Sequence, residues 1–554
     1  MREVSKLGKM LSFTLKSFLI VSLVMTFLTS TSKAVATGNL IDAFIDGNAE
    51  FFSGEYIDRQ SFITGNARLA PEGNIFSSLY GGQLNNLDFQ DGCITLTRDL
   101  TLTGSFIYSG SVSGTITADY TGDKTIFFSK DQTLSNHVTF TGQSVVLDGD
   151  GQTIDFDSAG TFSVGKRVAG KNSTLTLRNL ILENLPTSWM WLENGANQVE
   201  TFAQTSSVSF DRVVFESDPY SDNMVGDRRL LAFKGDCNQF NAGFKLPGNV
   251  ALGTKYPISG ALDLNVQALT LNSDLNFEGD GSLADESGTL LADADGNNRT
   301  LFFNADQTFN HLLSVSSSMI LDGNQYALDL NSTGSLGIGN GKTLRLKNWS
   351  LENLKSNWVI PAAGTLAFDN VVFESDPYSS GITDGDTITF TNNCRFEKGF
   401  TLPVDTNLET TEPFSGPLDL NSGTLTLYSD LHFSGEGSIV GSDGTIAADN
   451  DYVNRTLFFN ADQTFDNATL TFNNSVVVDC DDHQFDLDLG GKFVVANGKT
   501  LSLRNMTIKN PPSDWLTFND ADARLSLEDV KLIGPHNLTI NELEQVYGQF
   551  DMIY

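Results

Sequence analysis

Acidic side chains are the residues of this sequence whose spacing could support chemistry. Two loops, Asp293-Ala-Asp295-Gly-Asn and Asp449-Asn-Asp451, carry alternate carboxylates, as calcium-binding loops do. Calcium prefers about six to eight oxygen ligands, which loops rich in Asp and Asn supply. A twelve-residue loop with its final Glu and a GGxGxD array are both absent from the sequence. The pattern therefore favours solvated turns, and calcium-binding loops are the alternative. We assign no metal-ligating and no cofactor-binding residue.

Two further groups of acidic residues lie close together in the sequence, at Asp148, Asp150, Asp155 and Asp157 and at Asp479, Asp481, Asp482, Asp486 and Asp488. A glycoside hydrolase needs two carboxylates that face one cleft, but so many Asp pairs make any one pair uninformative. The five histidines do not recur at one repeat position, and the sequence has no GxSxG, HExxH or P-loop motif. No catalytic residue is assigned, and a polysaccharide-active enzyme is the less favoured interpretation.

Cysteine and tryptophan positions also carry predictions. Cys237 and Cys394 occupy equivalent places in a long repeat, 157 residues apart, while Cys93 and Cys480 align with no other cysteine. We expect four free, mostly buried thiols and no disulfide, because equivalent repeat positions lie too far apart to bridge. Three tryptophans recur at one place in each repeat, namely Trp189, Trp358 and Trp515. They are interpreted as residues that pack turns, with sugar stacking as the alternative.

Charge and composition exclude several functional classes. The 554-residue chain has 34 Lys and Arg against 68 Asp and Glu, a net charge of -34. Nucleic-acid binding is excluded, because neutralising phosphates needs clustered basic residues. Hydrophobic residues make up 40% of the chain and include 40 Phe, enough to build a large core and to argue against disorder.

The amino terminus has the pattern of a secretory signal over residues 1–36. Basic residues precede the apolar run Phe18–Leu28, and Ala34-Val35-Ala36 supplies a small-x-small cleavage site. An uncleaved membrane anchor is the alternative, but the run is short for a span of roughly 20 residues. Export with cleavage predicts a mature chain without a transmembrane span and with a net charge of -38, because five basic residues and Glu3 are removed.

The body of the chain is a long unit written three times. The string NRTLFFNADQTF at 298–309 returns unchanged at 454–465, and FDRVVFESDPYS at 210–221 returns with one change at 368–379. We divide the chain into an amino-terminal cap at 37–86 and three copies, called the first, second and third copies below, at 87–261, 262–417 and 418–554. The first copy has an insertion, Trp191–Ser206, that predicts a protruding loop.

A shorter period lies within each copy. In the second copy, apolar alternation begins at Leu344, Leu366 and Ile388, 22 residues apart each time, and Ile320 lies 24 residues before Leu344. Short strands broken by Gly, Asn and Asp predict an all-β protein. The even spacing favours a solenoid, with one equivalent strand per coil, over a string of sandwich domains. At this spacing, the three copies predict about 20 coils.

The segments 145–154, 319–328 and 476–485 have an apolar run, an Asp, a turn and a second apolar run. They resemble the coils of right-handed parallel β-helix proteins, which include pectin-lyase-like enzymes and bacterial surface proteins such as polymorphic outer-membrane proteins. The resemblance implies a right-handed parallel β-helix and carries no function by itself. In that fold, one Phe of each doublet (Phe127-Phe128, Phe302-Phe303, Phe458-Phe459) should enter the core. Asn179, Asn348 and Asn505 occupy one repeat position, which suits the left-handed region or a turn, where their amides can also bond neighbouring backbone.

Together, these features predict an exported, non-catalytic surface or extracellular protein that acts as an adhesin or structural scaffold. Its expected location is the cell surface, the outer membrane or the medium, with the periplasm as another option. The expected partner is a glycan or protein on a host or neighbouring cell, and not nucleic acid. The alternative function is a polysaccharide lyase or glycoside hydrolase on the same fold. The sequence leaves the oligomeric state open.

Overall fold

The computed structural model describes strand segments between residues 44 and 96, most of 99–534, and 546–553. Within 99–534 the residues not described are 103–105, 108–113, 119–121, 158, 166–172, 193–205, 223–229, 235–237, 285–286, 332, 384, 441–442, 450, 452, 466–467 and 488–489. The predicted signal at 1–36 and most of the predicted protruding loop lie outside the described residues.

The chain forms two compact units, Met1–Pro257 and Ile258–Tyr554. The described strands of the first unit are Phe44–Ile45, Ala49–Phe51, Tyr56–Ile57, Phe62–Leu69, Phe76–Leu79, Gly82–Asp88, Cys93–Leu96, Leu100–Leu102, Phe106–Ile107, Gly114–Ala118, Lys124–Phe128, Gln132–Thr133, His137–Gly142, Ser144–Asp155, Thr161–Val164, Thr174–Glu183, Met190–Leu192, Ser207–Phe215, Leu230–Lys234, Gln239–Phe240, Phe244–Lys245 and Val250–Leu252.

The described strands of the second unit are Ala261–Asp263, Ala268–Leu271, Leu275–Asn276, Ser282–Ala284, Gly288–Ala292, Arg299–Phe302, Gln307–Thr308, Leu312–Val315, Met319–Asp322, Ala327–Asp329, Ser335–Ile338, Thr343–Lys347, Ser350–Glu352, Val359–Pro361, Thr365–Asp369, Val372–Phe373, Thr387–Thr391, Arg395–Phe396, Phe400–Thr401, Thr406–Leu408, Pro417–Asp419, Thr424–Leu427, Leu431–Phe433, Ser438–Val440, Gly444–Ala448, Arg455–Phe459, Gln463–Thr464, Thr469–Phe472, Val476–Asp479, Gln484–Asp486, Lys492–Val495, Thr500–Lys509, Leu516–Phe518, Arg524–Ile533 and Val546–Ile553.

These strands build an all-β parallel solenoid of about 16 turns, without a helix among the described residues. The predicted fold class is therefore confirmed, and its right hand and its three tandem copies stay predictions. This turn count is below the predicted 20. The coils also differ in length, since Thr174 pairs with Ser207, 33 residues later. The parallel pairing extends back to Phe44, which pairs with Phe62.

Strand register in the second copy follows the predicted spacing closely. Leu344 pairs with Leu366 and Leu366 with Ile388, as the 22-residue period predicts. One step upstream, Leu344 pairs with Met319 and not with Ile320. The reason is the two-residue period of a strand, in which a shift by one residue exchanges the two faces. Met319 is buried, whereas Ile320 lies on the outer face and is half-buried.

Phenylalanine rings fill the interior in stacks. Phe373 lies over Phe396 at 5.0 Å between ring centroids and 6° between planes, and Phe433 lies over Phe459 at 4.5 Å and 5°. These distances match the spacing of about 4.8 Å between paired strands, because equivalent positions of successive coils carry the rings. The prediction for the Phe doublets is confirmed: Phe128, Phe303 and Phe459 are buried, whereas Phe127 and Phe302 are 37% and 36% exposed and Phe458 is half-buried.

Candidate functional site

A corner recurs where the Asp of each apolar-Asp segment meets the Asn of the next coil. The three asparagines have φ angles of 52°, 53° and 47°, so the predicted left-handed conformation is confirmed. Each amide donates to the carboxylate one coil earlier: Asn179 to Asp148 at 2.8 Å, Asn348 to Asp322 at 2.9 Å and Asn505 to Asp479 at 3.1 Å. The prediction that these amides bond neighbouring backbone is therefore wrong, because each amide donates to a carboxylate of the preceding coil.

The charge at this corner is balanced differently in each copy. Asp148 is 8% exposed and accepts from Arg178 Nε at 2.8 Å. Asp322 is 7% exposed and lies 3.2 Å from Lys347 Nζ. In the third copy the equivalent base, Arg504, pairs instead with Glu528 at 3.0 Å. The first two carboxylates are therefore tied into structural networks, since buried charges need such partners.

The predicted calcium loops are closed by arginines. Arg299 Nη2 lies 2.6 Å from Asp293 and 2.5 Å from Asp295, and Arg455 Nη2 makes the same contacts with Asp449 at 2.8 Å and Asp451 at 2.5 Å. The main-chain N–H of Asn297 and, less strongly, Arg299 hold the pKa of Asp295 below its ordinary value. The N–H of Val453 does the same, with Arg455, for the pKa of Asp451.

In each loop, where the sequence left calcium open, one guanidinium cation contacts both carboxylates and offsets one of their two negative charges. Within the described part of the chain, no group of three or more His, Cys, Asp or Glu is placed to hold a metal ion. Calcium would have to displace an arginine that both carboxylates of a loop contact. We call these two segments, 293–299 and 449–455, the arginine-closed loops.

The recurring tryptophans are buried and do not offer a stacking surface. Trp189 and Trp358 are fully buried and Trp515 is 1% exposed. The indole N–H groups of Trp189 and Trp358 donate to the carbonyls of Pro219 and Pro377, each at 3.0 Å. Those prolines belong to the FESDPYS turns, so the packing interpretation is confirmed and the sugar-stacking interpretation of these residues is wrong.

Two of the four cysteines are described with their side chains. Cys394 and Cys480 are buried and free, as predicted. Burial raises the pKa of each thiol to about 12, so both stay protonated and unreactive at neutral pH. The side chain of Cys93 and all of Cys237 lie outside the described residues, and for them the prediction stands untested.

A row of residues that pair in register crosses equivalent strands in every copy, and we call it the outward row after its outward-facing Phe. The outward Phe of each doublet pairs in register with a polar residue before it and with the corner Asp after it: Thr101, Phe127 and Asp148; Asn276, Phe302 and Asp322; His432, Phe458 and Asp479. The doublets predicted the outward Phe, but the residue beside it follows only from the strand register. The sequence alone therefore did not predict this row.

The third copy carries a concave surface on that row. His432 and Phe458 stack face to face, with ring centroids 4.6 Å apart and planes at 13°. They line an open cavity of about 520 Å³ together with Asp479, Asp481, Asn460 and Asn505. We call this surface the aromatic groove. Its combination of flat rings with a few polar groups is typical of small-molecule sites.

Comparisons with protein-family models, with curated proteins and with solved structures found no match for this chain. Among the described residues, no helix is long and apolar enough to cross a membrane. The geometry of the corner, the loops and the groove is therefore the basis for a functional argument.

Proposed function

We propose that this protein is an exported, non-catalytic β-helix that presents a repeated binding surface on or outside the cell, as an adhesin or scaffold does. The coiling would be right-handed, which is the usual hand of parallel crossover connections. The signal-like residues 1–36 and the excess of acidic residues support export and solubility.

The observation that carries the proposal is the outward row, in which an exposed or half-buried Phe lies next to a corner Asp in each copy. A catalytic site needs one singular arrangement, whereas a repeated row suits contact with an extended or multivalent partner. Asp148 and Asp322 also form ion pairs with Arg178 and Lys347. These two carboxylates are therefore engaged in contacts within the solenoid. The partner would be a glycan or protein of a host or neighbouring cell.

Export is tested by mass spectrometry of the mature amino terminus and by protease treatment of intact producing cells. We expect a chain that begins at residue 37 and is digested on intact cells. The proposal would be contradicted by a chain that begins near Met1. It would also be contradicted by a protein that stays in the cytoplasm and is fully protected from protease on intact cells. Binding is tested with beads coated with the mature protein, which should adhere to target cells better than albumin-coated beads.

The alternative, a polysaccharide lyase or glycoside hydrolase, is favoured by one feature, the pair Asp479 and Asp481 beside an aromatic surface. A panel of polysaccharides, incubated with the protein in calcium and in chelator, separates the two functions. We expect no new reducing ends and no unsaturated products. Release of either, abolished by Asp481→Asn, would establish the enzyme instead.

A further inference from the structure

The aromatic groove has a flat floor made of two rings from neighbouring coils. His432 and Phe458 pair in register on the outer face, while Leu431 and Phe433 on one strand and Leu457 and Phe459 on the next point inward and are buried. The stacked rings therefore extend over two coils and are held by strands whose other face is fixed in the core. Such a surface is preorganised, so a ligand would not have to order it.

The rim of the groove supplies hydrogen-bond acceptors next to this floor. Asp479 follows Phe458 in register, and it accepts from the Asn505 amide at 3.1 Å and from the N–H of Asp481 at 3.2 Å. The described residues give Asp479 no ion pair, because Arg504 turns to Glu528. A carboxylate has about four acceptor positions, so Asp479 and the exposed Asp481 retain capacity for hydroxyl donors.

We propose that the aromatic groove binds a neutral saccharide chain. A pyranose ring has an apolar C–H face that packs on an aromatic face, whose negative quadrupole attracts the slightly positive hydrogens. Its hydroxyls can donate to Asp479 and Asp481 and accept from the amide of Asn460. Acidic sugars and phosphates are disfavoured by these carboxylates and by the net charge of -34. This inference rests on the proposed function and names the ligand class for one part of its repeated surface, the row of the third copy.

The second copy provides a natural control for this site. Asn276 stands where the third copy has His432, so Phe302 has no second ring beside it. Lys347 also lies 3.2 Å from Asp322, which removes part of the acceptor capacity that Asp479 keeps. The row of the second copy, which lacks the second ring, should therefore bind saccharides much more weakly than the aromatic groove.

The test uses the mature protein on a glycan array that displays neutral and acidic oligosaccharides, followed by titration of the best neutral hexasaccharide by calorimetry. We expect binding to neutral glycans, with a Kd that rises about tenfold or more for Phe458→Ala and for His432→Asn. The matched control Phe302→Ala should leave the Kd within about twofold. Circular dichroism of each variant verifies that the solenoid is intact.

The inference is overturned if no neutral glycan binds, if acidic glycans bind more tightly, or if Phe458→Ala and Phe302→Ala have equal effects on a folded protein. These outcomes are distinct from failure of the proposed function. A protein that is exported and adheres to cells, with adhesion unchanged in Phe458→Ala, would retain the proposed function and lose the saccharide site. A protein that is not exported but binds neutral glycans at this groove would show the reverse.

Discussion

The corners of the second and third copies have the same backbone and different side chains. Asn348 and Asn505 share the left-handed conformation, and each donates to the Asp of the preceding coil. Around this shared bond the second copy has Gly323, Lys347 and Trp349, where the third has Cys480, Arg504 and Met506.

The difference teaches which contacts the fold requires and which it leaves adjustable. Trp349 is 1% exposed and donates to the Leu321 carbonyl at 2.8 Å, and a Cβ added at Gly323 would lie 2.2 Å from its ring. Met506 is also buried, but a flexible thioether can move aside for the side chain of Cys480. The Asp–Asn bond is therefore common to both corners, whereas the small and large residues must be matched in pairs.

The largest expected effect comes from Gly323→Cys, which gives the second copy the cysteine that the third copy has at this position and so breaks the match with Trp349. The rigid indole cannot yield as a methionine does, so overpacking should cost about 3 kcal/mol of unfolding free energy. The measurement is the urea midpoint followed by circular dichroism. The variant Gly323→Cys/Trp349→Met should recover more stability than the two single changes predict by addition. Additive effects would show that the two residues are not a matched pair.

The next effect comes from removing the shared acceptor. Asp322→Ala leaves the half-buried amide of Asn348 and the N–H of Asn324 without their partner, so we expect a loss of about 2 kcal/mol. Asp479→Ala should cost about 1 kcal/mol, because Asp479 is less buried and Arg504 keeps Glu528. Urea midpoints of both variants test the ranking. An equal loss at both sites would mean that neither the deeper burial of Asp322 nor its lysine adds stability at the second corner.

For the arginine-closed loops we expect the two copies to behave alike. The pKa values of Asp295 and Asp451 are lowered in the folded chain, so their stabilisation is present above the ordinary value of 3.8 and is lost as pH falls through the folded value. Arg299→Gln and Arg455→Gln should each lower the thermal midpoint at pH 7. That deficit should shrink below pH 3.8, as wild type loses the same contact. A deficit that is independent of pH would contradict the role of the arginines.

The repeat predicted much of this architecture, because a solenoid places equivalent residues on one strand position and the spacing of Leu344, Leu366 and Ile388 shows directly in the sequence. The exact register upstream was less accessible, since Met319 and Ile320 are both apolar. The partners of Asn348 and Arg299 could not be read from spacing. A nearby carboxylate competes with the backbone for the amide of Asn348, and Arg299 competes with calcium for the loop carboxylates. The groove depends on His432, which aligns with Asn276 and carries no repeated signal.

The smallest expected effect concerns the exposed base of the corner. Arg504 and Glu528 have side chains that are 45% and 64% exposed, and such surface pairs contribute about 0–1 kcal/mol. Arg504→Lys, which copies Lys347 of the second copy, should therefore change the unfolding free energy by less than about 0.5 kcal/mol. A shorter, flexible ammonium could instead turn to Asp479, as Lys347 does to Asp322, and reduce the acceptor capacity of the aromatic groove. The variant should then weaken neutral-glycan binding while leaving the urea midpoint unchanged. A large loss of stability would mean that Arg504 supports the third corner in a way that Lys347 does not support the second.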